Sequence, residues 1–320
     1  MTGTDGKKNR IARSDRLVYT LIFSVFRVLG VLPRKWGVYA GHFIGRIWIA
    51  VDGRHRGIAL QNLKTAFSKE KSPQEIRLLA GAVFQNLAQI IFEIGWALKL
   101  DKSDFSRFFS FRGFDRLSNA YKRKKGVILL TGHLGNWELL AVVGAMAGYP
   151  INVLYRPLDI GGLDLFFYRY RTRFGARMIS HARSMRRILR ILKQGECLAI
   201  LMDQNVDWYE GAFVEFFGKR ACTNLGPALI ASATEAAVLP VFLLRDGSAF
   251  VAEVGEEIPL IRTGDRRKDL EENTQRYNQI LEAYIRRYPE QWFWVHQRWK
   301  TRPYHPWPSE NSTLGKADAA

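Results

Sequence analysis

The stretch VILLTGHLGNWELL, residues 127–140, decides the fold. Its first four residues, Val127 to Leu130, are apolar and have the length and flanks of a buried strand. Glycines on either side of His133 permit a tight turn, and Asn136 is a favourable N-cap for the helix that follows. The stretch therefore predicts a strand, a turn that carries a histidine, and a helix.

Further apolar runs of strand length alternate with helical patterns along the rest of the chain. Strands are predicted at residues 151–155, 197–202, 238–244 and 249–254, and helices at residues 163–174, 184–192, 223–236 and 268–287. Strands that alternate with helices imply right-handed crossovers. We therefore predict an α/β fold with a mostly parallel central sheet flanked by helices, preceded by an N-terminal membrane-associated helical region.

Composition narrows the class of protein. The chain has 320 residues, of which 47% are hydrophobic, and this excludes a disordered chain. Two cysteines are too few for a fold built on disulfides. Lys and Arg total 48 against 30 Asp and Glu, which gives a net charge of +18. That surplus indicates a polyanionic partner, and three classes stay open: nucleic acid, an anionic membrane and a phosphorylated substrate.

Two apolar stretches near the N-terminus, residues 17–32 and 36–51, raise the question of a membrane segment. A helix of this length spans about 24 Å, less than the ~30 Å hydrocarbon core of a bilayer. Arg27 interrupts the first stretch and Arg46 the second. We predict an interfacial helix, with a buried helix of an ordinary domain as the alternative. The basic flank before residue 17 would keep the N-terminus on the cytoplasmic side.

Three of the predicted strands end in polar side chains, namely His133, Arg156 and Asp203. The carboxyl ends of parallel strands form the usual site of function in such sheets. Glu138 lies five residues after His133, and the two can meet only if the histidine lies in the turn and the glutamate in the first helical turn. A histidine oriented by a carboxylate is a general base. The alternative is that Glu138 only complements the helix dipole.

A cationic segment follows the second predicted strand. It contains Arg169, Arg171, Arg173, Arg177, Arg183, Arg186, Arg187, Arg190 and Lys193, without an intervening acidic residue. Arginine binds phosphate with two parallel hydrogen bonds, and we select Arg156 and Arg171 as anion-binding residues. The alternative is a solvated helix face.

Two aromatic segments complete the candidates. Residues 213–218 predict either part of an apolar ligand groove or ordinary core. Residues 292–303 interleave aromatic rings with cations, a pattern typical of a lipid headgroup interface and also of stacking on nucleic acid. No histidines or cysteines have metal-ligand spacing, so no metal and no cofactor are predicted.

Taken in order, these motifs resemble the bacterial lipid A late acyltransferases. The residues that carry the resemblance are Gly132 to Glu138, Tyr155 to Pro157, Asp203 and Gln204, Phe216 to Gly218, Thr223 to Pro227, and His296 to Pro303. The resemblance covers residues 15–305. It implies a glycerolipid acyltransferase-like fold and an O-acyltransferase that moves a fatty acyl chain from acyl carrier protein to a hydroxyl of a lipid A precursor.

The resemblance also implies site residues and a location. His133 is expected to be the base and Glu138 its partner, and substrate binding is expected of Arg156, Arg171, Arg173, Asp203 and Asn136. No serine or cysteine accompanies the histidine, so direct transfer is predicted. The expected partners are acyl carrier protein, a phosphorylated glycolipid acceptor and the anionic inner membrane at its cytoplasmic face, but no nucleic acid.

The predicted organisation has four parts. These are a basic tail at residues 1–16, a membrane-associated segment at 17–52, an acyltransferase domain at 53–305 and a C-terminal tail at 306–320. Two alternatives stay open, an acyltransferase of another glycolipid or glycerophospholipid and a non-enzymatic nucleic-acid-binding protein.

Overall fold

The structure is a computed structural model that describes residues 12–247 and 249–303. Most of the predicted basic tail at residues 1–16 and all of the predicted C-terminal tail at 306–320 lie outside the described residues. The first helix begins at Arg13, so the last four residues of the predicted basic tail are helical.

Helices and strands alternate through most of the described chain. The α-helices are α1 (Arg13–Leu29), α2 (Arg34–Val51), α3 (Gly53–Phe67), α4 (Pro73–Ala97), α5 (Phe105–Phe108), α6 (Phe114–Lys122), α7 (Trp137–Met146), α8 (Gly161–Thr172), α9 (Met185–Lys193), α10 (Gly226–Ser232) and α11 (Arg266–Arg287). The β-strands are β1 (Phe109–Arg112), β2 (Val127–Thr131), β3 (Ile151–Tyr155), β4 (Arg177–Ser180), β5 (Cys197–Leu201), β6 (Gly211–Phe216), β7 (Lys219–Asn224), β8 (Ala237–Asp246) and β9 (Ala249–Val254).

Seven strands form the central sheet in the order β1-β9-β8-β2-β5-β3-β4. Every neighbouring pair is parallel except β8 and β9, so the predicted mostly parallel α/β sheet is confirmed. β2 lies inside the sheet, with Val127 opposite Cys197 of β5 and opposite Ala237 of β8. All five residues of β2 are buried, which explains its uninterrupted apolar character.

One predicted helix is wrong in its extent. Residues 223–236 were expected to be helical, but Thr223 belongs to β7, where it pairs with Ala212 of β6 in an antiparallel hairpin. The helix α10 covers only the middle of the predicted range. The physical reason is that the hairpin gives the backbone of this segment its hydrogen bonds before the helix can begin.

Two layers of helices cover the sheet. On one face, α6 and α7 pack against the side chains of Val127, Leu129 and Ala199. On the other face, α9, α10 and α11 pack against the intervening side chains of β2 and β5. The N-terminal helices lie on the same face of the sheet as α7. Helix α4 contacts α7, and α1 packs on both α4 and α8. His133 and the other strand ends therefore lie at the carboxyl edge, between these layers.

The start of α4 follows the capping box that Ser72 and Glu75 predict. This helix is long and apolar enough to cross a membrane, but 67% of its apolar window is buried inside the protein. It therefore serves as a core helix. Close packing of α2 on α4 depends on Gly41 and Gly45, since a Cβ on either would lie less than 3 Å from the α4 backbone.

The two apolar N-terminal stretches form α1 and α2, which meet at an angle of 113°. Each helix leaves a row of large apolar side chains exposed. We call these side chains the apolar face, and they are Leu17, Leu21, Val25 and Val28 of α1 and Trp36, Tyr39, Phe43, Ile47 and Val51 of α2. The spacing of three or four residues places each row on one side of its helix.

Candidate active site

His133 lies in the turn after β2, beside the acid that follows the neighbouring strand β5. Its Nδ1 atom is 2.8 Å from Oδ1 of Asp203, and its backbone N–H donates to Oδ2 of the same carboxylate over 2.7 Å. The two residues are 70 positions apart in sequence, and adjacent parallel strands bring them together. A carboxylate on Nδ1 holds the proton there and leaves Nε2 as the basic nitrogen.

Asp203 is itself fixed from a third element. The indole N–H of Trp292 donates to Oδ2 over 2.7 Å, and the carboxylate is buried. Burial alone would raise the pKa of Asp203, but His133 and the indole stabilise the anion and lower that pKa to about 2. The carboxylate is therefore a permanent negative charge next to the imidazole.

The His133 ring is only partly enclosed. Its side chain is 19% exposed, and its ring lies 5.2 Å from that of Trp137 and 5.8 Å from that of Phe293, measured between centroids. Nε2 lies 3.4 Å from the amide nitrogen of the exposed Gln204. The ring is therefore not fully enclosed, and the amide of Gln204 is the polar group next to Nε2.

Glu138 contacts a different partner from the one the sequence predicts. Its two carboxylate oxygens accept from Nε and one terminal nitrogen of Arg171, each over 2.8 Å. The predicted contact between His133 and Glu138 is thus replaced by the contact with Asp203. The physical reason is that Asn136 begins α7, and the first turn of that helix directs Glu138 toward α8.

The other predicted substrate-binding residues fall into two groups. Asn136 is buried. Its Oδ1 accepts the N–H of Leu139 and so caps α7, and its Nδ2 donates a hydrogen bond of 2.7 Å to Glu93 of α4. Arg173 donates to the carbonyl groups of Ala97 and Leu100 at the end of α4. Both residues contribute to the scaffold, and their predicted binding of substrate stays a prediction.

Arg156 differs from these residues because it is open to solvent. Its side chain is 75% exposed and makes a long contact of 3.4 Å with Asp159, the kind of surface pair that contributes little stability. Its predicted binding of an anion at the carboxyl edge stays a prediction.

Sequence reasoning missed a buried ion pair that supports the turn of His133. Glu93 accepts from Arg245 of β8 through both oxygens, each over 2.6 Å, and one of these oxygens also holds Asn136. The available signal was a single carboxylate inside the apolar run IIFEIGWA at residues 90–97, which predicts a buried cationic partner.

Part of the aromatic segment at residues 292–303 is core, and the expected lipid headgroup interface stays a prediction for its exposed cations Lys300 and Arg302. Trp292 and Trp294 are buried, and Arg298 is buried with its guanidinium bonded to the carbonyl of Cys222 and to Thr223. Burial lowers the pKa of His296 to about 4, so its ring is neutral and accepts the N–H of Asn205. Through Trp292 and His296 this segment holds Asp203 and Asn205, which follow β5, in place.

The aromatic residues Phe216 and Phe217 are buried in the same core, so for them residues 213–218 are ordinary core.

Among the described residues, no group of three His, Cys, Asp or Glu side chains could hold a metal ion.

The structure thus places a histidine and a buried carboxylate at the carboxyl edge of a mostly parallel α/β sheet, the usual position of an active site in this class of fold. A family model described as Bacterial lipid A biosynthesis acyltransferase matches residues 6–301, and the chain belongs to this family. The protein is accordingly an O-acyltransferase.

Several relatives cover most of this chain. The lipid A biosynthesis palmitoleoyltransferase of Escherichia coli (strain K12) is 28% identical over 275 residues, which are 85% of this chain and 87% of the relative. The lauroyltransferase of the same strain is 26% identical over 297 residues, covering 85% of this chain and 94% of the relative. A lipid A biosynthesis acyltransferase of Haemophilus influenzae is 25% identical over 283 residues, covering 88% and 85%.

Proposed function

We propose that this protein transfers a fatty acyl chain from the thioester of acyl carrier protein to a hydroxyl of a lipid A precursor. The observation that carries the proposal is the contact between His133 and Asp203 at the carboxyl ends of adjacent strands. The relatives' names supply the acceptor class, since they are lipid A acyltransferases.

In the proposed reaction, Nε2 of His133 removes the proton of the acceptor hydroxyl while its oxygen attacks the thioester carbonyl. The new C–O ester bond forms and the C–S bond breaks. The proton then passes from the imidazolium to the departing thiolate. Asp203 stabilises the imidazolium and fixes the ring, and it stays ionised because its pKa is about 2.

Direct transfer without a covalent enzyme intermediate is supported by the state of the two cysteines. Both are buried, and burial raises the pKa of Cys197 to about 12 and also raises that of Cys222. A thiol that remains protonated is a poor nucleophile. In this proposal the acceptor hydroxyl itself attacks the thioester.

The proposed acceptor is a membrane lipid, and the apolar face gives the protein a surface for reaching it. The loop between β3 and α8 exposes Leu158 and Ile160. Gly161 and Gly162 at the start of α8 lie against α1. The side chains of Leu158 and Ile160 therefore continue the apolar face toward the carboxyl edge. We propose that this surface enters the cytoplasmic leaflet of the inner membrane and that Arg156 binds a phosphate of the glycolipid.

The membrane proposal predicts a loss of vesicle binding when charge is placed on the apolar face. We expect the double variant Leu21→Glu and Phe43→Glu to lower partitioning onto phosphatidylglycerol vesicles at least about tenfold, because two large apolar side chains no longer enter the bilayer. Co-sedimentation measures this effect. The control is Leu78→Glu, an exposed leucine of α4 outside the apolar face. Equal binding by all three proteins would contradict the proposal.

The proposed acceptor is tested in the source organism by deleting the gene and analysing the lipids by mass spectrometry. We expect lipid A that lacks one acyl chain, restored by the wild-type gene and not by a gene encoding His133→Ala. Unchanged lipid A with an altered phospholipid pool would instead support an acyltransferase of glycerophospholipids. Unchanged lipids of both classes would contradict an acylating role.

A further inference from the structure

The structure divides the nine cations of residues 169–193 into two groups. The four cations of α8, its C-cap and β4 have partners within the protein. Arg169 lies 4.6 Å from the ring of Tyr19, Arg171 pairs with Glu138, Arg173 holds the carbonyl groups at the end of α4, and Arg177 contacts Glu196 over 2.7 Å. This first group stabilises the fold and leaves few charges free.

The second group lies on and just before α9. Its members are Arg183, Arg186, Arg187, Arg190 and Lys193, and all five are exposed. Within residues 12–247 and 249–303, none of these five side chains forms a hydrogen bond, an ion pair or a ring contact. The exposed Met185 adds an apolar contact point among them. We call these six side chains the α9 basic face.

The helix is built so that this face stays on the surface. Ile188, Ile191 and Leu192 point into the core formed with β2 and β5, which leaves the cations on the outer side of the helix. Five like charges within eleven residues repel one another. They cost stability unless a negatively charged partner binds there.

The position of the α9 basic face relates it to the active site. The helix begins just after the carboxyl end of β4. Arg183 and Arg186 therefore lie at the same edge of the sheet as His133. β4 is the third strand from β2 in the sheet, a separation of about 14 Å at ordinary strand spacing. A flexible prosthetic arm of a docked carrier can bridge such a distance.

The α9 basic face is also separate from the apolar face. α9 covers the side of the sheet opposite to α7, whereas α1 and α2 are joined to the α7 side through α4 and α8. The apolar face and the α9 basic face therefore belong to helices on opposite sides of the sheet. This arrangement favours a soluble partner for the basic face over the membrane surface.

We infer that the α9 basic face is the docking surface for the acidic carrier protein that delivers the acyl thioester. The inference rests on the proposed function, since that function supplies a carrier-bound donor. Opposite charges would steer the carrier to the carboxyl edge, and the effect is weakened by salt. The lipid acceptor and the protein donor would then reach His133 from different sides of the molecule.

The test compares two donors with the same acyl chain, one on acyl carrier protein and one on N-acetylcysteamine, which has no protein. We expect the triple variant R186E/R187E/R190E to raise the KM for the carrier-bound donor at least about tenfold and to abolish its dependence on salt. The loss is confined to that donor, because a structural defect would affect both. The neutral variant R186Q/R187Q/R190Q is expected to show a smaller rise.

The matched control is K64E/K69E/R77E, which makes the same change of net charge at exposed residues of α3, α4 and the loop between them. It is expected to keep the wild-type KM. An equal rise in the control, an equal loss with both donors, or no rise in either α9 variant would overturn the docking surface. Loss of vesicle binding without a change in KM would assign the face to the membrane instead. If the wild-type protein transfers no chain from either donor, the proposed function itself fails.

Discussion

Replacing His133 with alanine is expected to lower kcat about 10²–10⁴-fold, with little change in the KM for the acyl donor. The reason is that His133 carries the basic nitrogen at the open side of the site, while the surfaces proposed to bind the substrates lie on other elements. Steady-state transfer by purified protein measures the effect.

The control for this variant is His181→Ala. His181 is an exposed histidine that follows β4 at the same edge of the sheet, and its loss is expected to leave kcat within about twofold. A His133→Ala protein that keeps more than a third of the wild-type rate, while folding normally, would remove the general base from the account.

The second large effect is expected from Asp203→Asn, which is also predicted to lower kcat about 10²-fold or more. The amide has nearly the shape of the carboxylate, but it carries no charge and cannot accept on both atoms that now contact His133 and Trp292. The imidazolium is then less stable and its orientation is lost. Combined with His133→Ala, the substitution is expected to add little, because the two residues act as a unit.

Glu138→Gln separates this account from the pairing that the sequence predicts. We expect a lower stability by up to about 3 kcal/mol, since the substitution removes the negative charge from a part-buried, doubly hydrogen-bonded pair with Arg171. The kcat of the folded fraction is expected to fall far less than in Asp203→Asn. The reverse order of kcat losses would restore Glu138 as the partner of the base.

The pH dependence follows from the pKa of Asp203. This pKa lies below the ordinary value, at about 2, so the carboxylate is ionised at every pH above about 4. Its stabilising contribution is present above the unfolded pKa of about 4 and is lost only as the pH falls toward 2. A loss of activity near neutral pH would therefore not come from Asp203.

Much of the fold could be predicted from local patterns. The uniform apolar run of β2, the N-cap at Asn136 and the capping box at Ser72 each depend on residues within a few positions of one another. Their physical cause is local, and the structure confirms them. The sequence patterns do not predict the short edge strands β1 and β4, which form by pairing with β9 and β3, or the local hairpin in which β6 pairs with β7.

The site was only partly predictable for the same reason. The sequence indicated that His133 and Asp203 share the carboxyl edge, but the neighbouring positions of β2 and β5 follow from the strand order. Spacing alone favoured Glu138, which lies nearer in sequence. The indole of Trp292, 89 residues after Asp203, could not be assigned to the carboxylate without the tertiary structure.

The measurement that tests the central claim most directly is acyl transfer by the purified protein in detergent micelles. Acyl-loaded carrier protein and a lipid A precursor are the substrates, and mass spectrometry reads the acceptor. We predict the mass gain of one acyl chain in an ester bond with the wild-type protein and a rate of gain about 10²–10⁴-fold lower with His133→Ala. An unmodified precursor with the wild-type protein, or equal gains with both proteins, would contradict the account.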